Sequence, residues 1–332
     1  MAIQKISGVT IDLTSQASGD VAYFDGTDWV RLAKGEAGDV LTMNESETAP
    51  EWLEPIPVWT FPGTVKGYCA SGNRNNSGAG EGPKAIERFS FTTDGNSTDV
   101  GDVTLGRHHQ SGQSSDTDGY ISGSYVNGPV TSAIDRWSFS SEGNAVDHGD
   151  LAVQTGQGTG QSSETHGYHT GGKSGGTTVN HIQKFAFATS GTNNATDIAD
   201  LTVARAGHPA GASSSTHGYT AGGDGGLTTI DKFPYATESN ATDVGDCDSA
   251  TISGAGTSSL THGYIIGGST PVNGDIRKYS FATGTQNSAD GGADLSDGRH
   301  ALTGCSSETF GYSAAGYQGG GSTNIIEKFS VS

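Results

Sequence analysis

Apolar residues along the chain fall in short runs that alternate with polar positions, and the runs are separated by Gly, Asn, Asp and Ser. A period of two is that of a strand, and the glycine-rich runs are not followed by a helical period. In "IQKFAF", residues 182–187, Phe185 and Phe187 point to one side while Ile182 and Ala186 point to the other, which suits a sheet packed between neighbours on both faces. A Gly-Tyr pair recurs at Tyr68, Tyr120, Tyr168, Tyr219, Tyr264 and Tyr312. A second anchor, Ile-x-(Lys/Arg)-aromatic, recurs at Ile86–Phe89, Ile134–Trp137, Ile182–Phe185, Ile230–Phe233, Ile276–Tyr279 and Ile326–Phe329, at spacings of 48, 48, 48, 46 and 50 residues.

Between the anchors lie "NSTDVGDV", "NAVDHGDL", "NATDIADL", "NATDVGDC" and the looser "NSADGGADL", each followed by a Gly/Ser-rich stretch such as "GASSSTHGY". Each unit therefore predicts about four short strands, one antiparallel blade of a β-propeller, and six copies predict an all-β six-bladed ring over residues 55–332. A lone blade cannot bury both of its faces; the ring supplies the neighbours. The glycines of "HGYTAGG" are expected to permit a positive-φ turn and close backbone approach near the axis rather than to cradle a phosphate. The last unit stops at "IEKFSVS" without its "TDVGD" strand, so "PIPVWTFPG" at 55–63 is predicted to complete the sixth blade and close the ring.

With "ARAGHPAGASSSTHGYTAGG" at 204–223 and the aromatic strand "IDKFPY" after it, the unit resembles kelch-type repeats, in which a strand ending in a glycine doublet is followed by an aromatic one. The tryptophan of a kelch unit is replaced here by the "TDVGD" segment. The resemblance implies a kelch-like propeller.

Composition narrows the picture. The 332 residues include 53 glycines against 9 prolines, as many tight turns require, and 36 acidic against 17 basic side chains give a formal charge of -19. That field repels phosphate backbones and anionic membranes, so neither nucleic acid nor membrane insertion is expected. Cys69, Cys247 and Cys305 are odd in number and lack CxxC spacing; the simplest reading makes them small buried apolar residues. No segment has the roughly 18 apolar residues of a membrane helix, and "MAIQKISGVT" has neither the apolar run nor the cleavage site of a signal peptide, so a soluble protein not exported by that route is expected.

Residues 1–54 stand outside the repeat. "GDVAYFDGTDWVRL" carries Val21, Tyr23 and Trp29 about an Asp-Gly turn, a hairpin signal, and "GDVLTMNESETAPEWLEP" repeats the theme. This stretch resembles a short module of structural proteins of tailed bacteriophages, carried here by Gly19, Asp20, Asp25, Gly26, Trp29, Val30, Leu32, Gly35, Gly38, Val40 and Leu41. The resemblance implies a small β attachment and oligomerisation module over 18–54, with Tyr23, Trp29, Leu32, Val40 and Leu41 as its apolar contacts, a homotrimer, and docking of 1–17 onto other virion proteins.

Side chains able to do chemistry have structural readings beside the functional ones. His166, His217 and His262 occupy one repeat position and could ring the axis with metal ligands, but the other units place Lys66, Asp118 and Phe310 there; hydrogen bonding at a strand end is the simpler account. Asp99/Asp102, Asp147/Asp150, Asp197/Asp200 and Asp243/Asp246 could offer oxygens to calcium, although a DxxD pair alone supplies too few ligands and a solvated acidic rim with Asx turns explains it. Arg107, Arg205 and Arg299 recur in alternate units and are expected to pair with those acids or with carbonyls between blades. Asn96-Ser-Thr98, Asn194-Ala-Thr196 and Asn240-Ala-Thr242 match a glycosylation sequon but share one repeat position and read as turn residues. No nucleophile elbow or other catalytic constellation emerges, and no cofactor is implied.

Together these readings give a non-enzymatic virion appendage, made in bacterial cytoplasm, whose propeller faces a host-surface glycan or protein through loops that include Tyr125 and Tyr317. The alternatives are a capsid decoration or head fibre without a specific receptor, and a glycan-cleaving propeller enzyme, which would need two carboxyl groups about 5–10 Å apart in a pocket.

Overall fold

The computed structural model describes residues 15, 17–37, 39–44, 48–53, 65–72, 83–125, 129–188, 193–269, 271–282 and 285–331. Among them every regular element is a strand. The chain divides into two compact units, 1–58 and 59–332.

In the first unit, Val21–Phe24 pairs with Trp29–Leu32 about the Asp-Gly turn, with Tyr23 opposite Val30 and Phe24 opposite Trp29. Asp25 Oδ1 accepts from the amides of Thr27 and Asp28 (2.8 Å each), and Gly26 takes a φ of 101° that only glycine adopts without strain. Asp20 accepts from Arg31 Nε and the Ala17 amide at 2.6 Å; the guanidinium holds its carboxyl down at about 2. A second hairpin pairs Val40–Met43 with Pro50–Leu53. None of the unit's described residues is fully buried.

The second unit is a six-bladed propeller. Blades two to five each show four antiparallel strands in sequence order from the axis outward; the third blade is Thr159–Ser162, His166–Thr170, His181–Ala186 and Thr196–Asp200. The described strands of the first blade are Lys66–Ala70, Ala85–Ser90 and Thr98–Asp102, and those of the sixth are Thr303–Ser306, Phe310–Ala314 and Ile326–Ser330. The segment 55–63 expected to close the ring lies outside the described residues.

Each position of the two anchors has one job, repeated around the ring. Gly167 lies opposite Phe185 in the register, and the Phe185 ring covers it so closely that a Cβ would enter the ring; Gly67, Gly119, Gly218, Gly263 and Gly311 meet Phe89, Trp137, Phe233, Tyr279 and Phe329 in the same way. The following tyrosine turns to the opposite face and enters the next blade. Tyr120 stacks on Phe187 (4.7 Å) and tilts against Phe185 (5.8 Å), and Tyr168 and Tyr219 repeat this with Phe233/Tyr235 and Tyr279/Phe281. Such ring pairs add about 0.5–1.5 kcal/mol each beyond the area they bury. Ile182 packs toward the following blade with Leu201 and Phe233, while Phe185 and Phe187 pack toward the preceding one, the alternation expected of "IQKFAF". The basic residue reaches a loop acid of the next blade, as in Arg88–Glu142 (2.8 Å) and Lys184–Glu238 (3.4 Å).

The Gly/Ser-rich stretches are the innermost strands. A Cβ on Gly160 would strike the Gly112 carbonyl, and Gly211, Gly256 and Gly304 each face the glycine one blade earlier, so backbone packs on backbone around the axis. Ser114, Ser162 and Ser213 amides donate to the hydroxyls of Ser162, Ser213 and Ser258 at 2.8–3.0 Å, stitching these strands together. The ring closes on the same contacts: Tyr312 stacks on Phe91 (4.6 Å), and Lys328 meets Asp94 (2.6 Å).

Candidate functional site

The connectors that run from the outermost strand of one blade to the innermost of the next lie on the same rim as the hairpins between second and third strands. The link is direct at Gly156, which exchanges amide and carbonyl bonds with Lys173 (2.7 and 3.1 Å), and at His300 with Tyr317 (2.8 and 3.2 Å). Each connector carries one left-handed residue other than glycine, at the same repeat position: His109 (φ 64°), Gln157 (64°), His208 (56°), Ser253 (57°) and Ala301 (54°). Side chains other than glycine pay of order 1–3 kcal/mol there, so the conformation persists only where the surroundings enforce it. Hydrogen bonds enforce it here: Gln157 N donates to His109 O (2.9 Å), His208 N to Gln157 O (3.1 Å), Ser253 N to Gly207 O and Ala301 N to Ser253 O (2.7 Å each). The result is a backbone necklace around the axial mouth.

Within it, His109 Nδ1 and His208 Nε2 lie 2.5 Å apart across the connector between them. Burial lowers both, His109 to about 4 and His208 to about 3, so the pair is neutral at pH 7, one nitrogen donating and the other accepting. Imidazole nitrogens are metal ligands, but no group of three or more His, Cys, Asp or Glu among the described residues is placed to hold an ion. The mouth can offer hydrogen bonds to a polar ligand.

Beneath the necklace, a side chain from each connector meets the residue after the isoleucine anchor of the next blade. Arg107 pairs with Asp135 (2.8 Å) and Arg205 with Asp231 (2.9 Å), all four wholly buried, and Arg299 pairs with Glu327. The intervening connectors carry Thr155, which accepts from Gln183 Nε2 (3.3 Å), and Thr251, whose next-blade counterpart Arg277 turns to Asp248 (3.3 Å). The arginines therefore do not pair with the DxxD acids, one of the two partners expected of them; their acids come from the third strand, on the face turned toward the connector. The carbonyls are as expected: Arg107 donates to Ala133 O (2.8 Å), and Arg205 to Thr220, Gly222 and Thr229 carbonyls. The glycine doublet makes the turn at positive φ (Gly222 69°, Gly223 126°) and aims an amide at the next connector, Gly172 N to Arg205 O (2.7 Å) and Gly223 N to Thr251 O (2.9 Å).

The remaining candidates are dispersed. His166, His217 and His262 each take a 2.8 Å bond between Nδ1 and the preceding threonine hydroxyl, one per blade at the start of a second strand. The DxxD acids stay within their own blades: Asp99 and Asp243 accept from the Gly101 and Gly245 amides, Asp246 from Thr228 Oγ1, and Asp197 meets His181 Nδ1 (2.7 Å). The Asp102, Asp150, Asp200 and Asp246 amides donate to Asn144, Asn194, Asn240 and Asn287 of the following blade at 2.9–3.1 Å. The sequon asparagines 194 and 240 are thus latches between blades. Tyr317 lies on the connector rim, half-buried, its hydroxyl donating to Gly320 O (2.8 Å) with His300 5.5 Å away; Tyr125 ends a second strand and opens the corresponding hairpin of the second blade. Sequence reasoning missed the necklace and the ion pairs. The alternation Arg107, Thr155, Arg205, Thr251, Arg299 against Asp135, Gln183, Asp231, Arg277, Glu327 was available in the repeat as a signal for the latter.

Protein-family models and curated proteins give no match to the chain. Among solved structures, that of YjhT aligns with a TM-score of 0.62 at 12% identity, over 82% of this chain and 99% of its own. At that identity the likeness is one of architecture, and the chain's second unit is a six-bladed β-propeller.

Proposed function

We propose that this protein is a non-enzymatic virion appendage, in which residues 1–54 attach as a homotrimer to other particle proteins and the propeller is displayed for adhesion to a host-surface glycan or protein. The observation that carries the reading is the character of the first unit. Five large apolar side chains face outward, Phe24 47%, Val40 52%, Leu41 43%, Met43 50% and Leu53 48% exposed, and the described residues form two separate hairpins with none fully buried. A unit of that kind is completed by association. In the first hairpin Trp29 is half-buried beside Phe24 (5.9 Å) on one face, and Tyr23 and Leu32 are half-buried on the other. The propeller supports a scaffold role, since its recurring Arg, Asp, Asn, His and Tyr side chains are engaged in contacts that hold strands and blades together. Its rim of hairpins and the axial mouth are the surface offered to a receptor.

Sedimentation of the full chain, beside cryo-electron microscopy of particles, tests the reading. Trimeric density at a tail or fibre tip is the expected result. Density spread over capsid axes would replace adhesion by decoration, a monomer absent from particles would overturn both, and release of reducing sugar from host polysaccharide would make the protein an enzyme.

A further inference from the structure

At the junctions from the second blade to the fifth, a residue of the innermost strand faces the residue after the Gly-Tyr tyrosine of the next blade. Gln161 donates Nε2 to Thr220 Oγ1 (3.0 Å) and to Tyr219 O (2.9 Å); Gln113 does the same to Tyr168 O (2.9 Å), next to His169; Ala212 and Ile265 share one apolar cluster. In the sixth blade this position is Cys305, opposite Tyr312 in its own sheet as Gln161 is opposite Tyr168, and in the first blade the facing position is Cys69, directly after Tyr68. The sixth blade meets the first with the same ring contacts as the other junctions, Tyr312 lying 5.4 Å from Phe89 and 4.6 Å from Phe91. The repeat therefore places at one seam two cysteines 236 residues apart in sequence, both free thiols in this structure.

We propose that Cys69 and Cys305 form a disulfide that covalently closes the ring between the first and sixth blades. Every other junction is crossed by a connector of the chain itself; among the described residues this one is held by side-chain and backbone packing. Cys247, the third cysteine, is buried in the apolar cluster of the fourth and fifth blades and takes no part. The oxidant is a small-molecule disulfide. One cysteine thiolate attacks it and releases the first small thiol; the second cysteine thiolate then attacks the mixed disulfide and releases the other, so two protein thiols lose two protons and two electrons and one small disulfide is reduced to two thiols.

The surroundings set when this happens. Burial pushes the Cys69 thiol up to about 12 and raises that of Cys305 as well, with Cys69 itself contributing to the rise of Cys305. Thiolate is scarce at neutral pH in the closed ring, so exchange proceeds while the seam is open. Reducing cytosol keeps the pair as thiols, and an oxidising medium makes the bond.

The full-length protein, unfolded and refolded with oxidised and reduced glutathione, provides the test, which does not depend on the appendage role. Free thiols are alkylated in denaturant and the digest is read by mass spectrometry. A peptide joining Cys69 to Cys305, an intact mass lower by about 2 Da for the two hydrogens lost, and an alkylated Cys247 are expected. Reduction should lower the thermal midpoint by about 5 °C or more in wild type and Cys247→Ser, and by nothing in Cys69→Ser or Cys305→Ser. Alkylation of both cysteines, glutathione left separately on each, or a bridge that involves Cys247 would overturn the proposal.

Discussion

Asp231→Gln isolates how the buried ion pairs hold the blades together. Arg205 and Asp231 are both 0% exposed and 2.9 Å apart. The substitution removes the counter-charge and leaves the guanidinium in the interior with carbonyls for company. Breaking a buried pair from one side costs about 3–5 kcal/mol, against about 0–1 for an exposed pair. For a domain of this size that amounts to roughly 6–20 °C in thermal midpoint. Arg205→Thr in the same chain should return much of the loss, because Thr with Gln is what the preceding junction already uses: Gln183 Oε1 accepts from Val153 N (2.8 Å) and its Nε2 donates to Thr155 Oγ1 (3.3 Å). Urea denaturation followed by circular dichroism on the two single variants and the double gives the coupling, expected at about 2 kcal/mol or more. If Asp231→Gln costs under about 1 kcal/mol, or the double variant equals the sum of the singles, the argument from charge burial fails.

Further outcomes follow from other positions. His169 is fully buried between Ser122 Oγ (3.0 Å) and Thr155 Oγ1 (2.9 Å), and burial holds it down at about 4. Below its ordinary value near 6.5 the unfolded chain takes up a proton that the folded one refuses until about 4, so stability must fall on acidification through that window, by about 2 kcal/mol at pH 5 from this residue alone. His169→Gln should show that much less acid sensitivity in urea midpoints at pH 7.5 and 5, and an unchanged pH dependence would refute the assignment. Gly167→Ala drives a methyl group into the Phe185 ring, which Tyr120 pins from the other blade, and should cost about 2 kcal/mol or more by thermal denaturation. Ala301→Gly acts in the opposite direction: the residue is exposed at φ 54°, and relief of the left-handed strain should raise stability by about 0.5–1 kcal/mol.

The sequence by itself determined the period, the strand character, the number of blades and the sidedness of "IQKFAF", because a strand flanked by neighbours must alternate and a repeated unit must bury the same faces each time. It also assigned the hairpin about Asp25-Gly26. It could not say what the glycine of Gly-Tyr avoids, which is its own blade's aromatic ring across the register, nor that Asn194 and Asn240 of the sequons accept from the Asp150 and Asp200 amides of the preceding blade. The acid partners of Arg107, Arg205 and Arg299 were missed for a related reason: each carboxylate lies 26 to 28 residues further on, in the next blade, whereas the DxxD acids are nearer in the repeat but face outward. The pairing proposed for Cys69 and Cys305 depends on closure, which joins the first repeat to the last. Local pattern fixes what each strand buries; only a closed ring fixes which residues far apart in the chain share an axis or a seam.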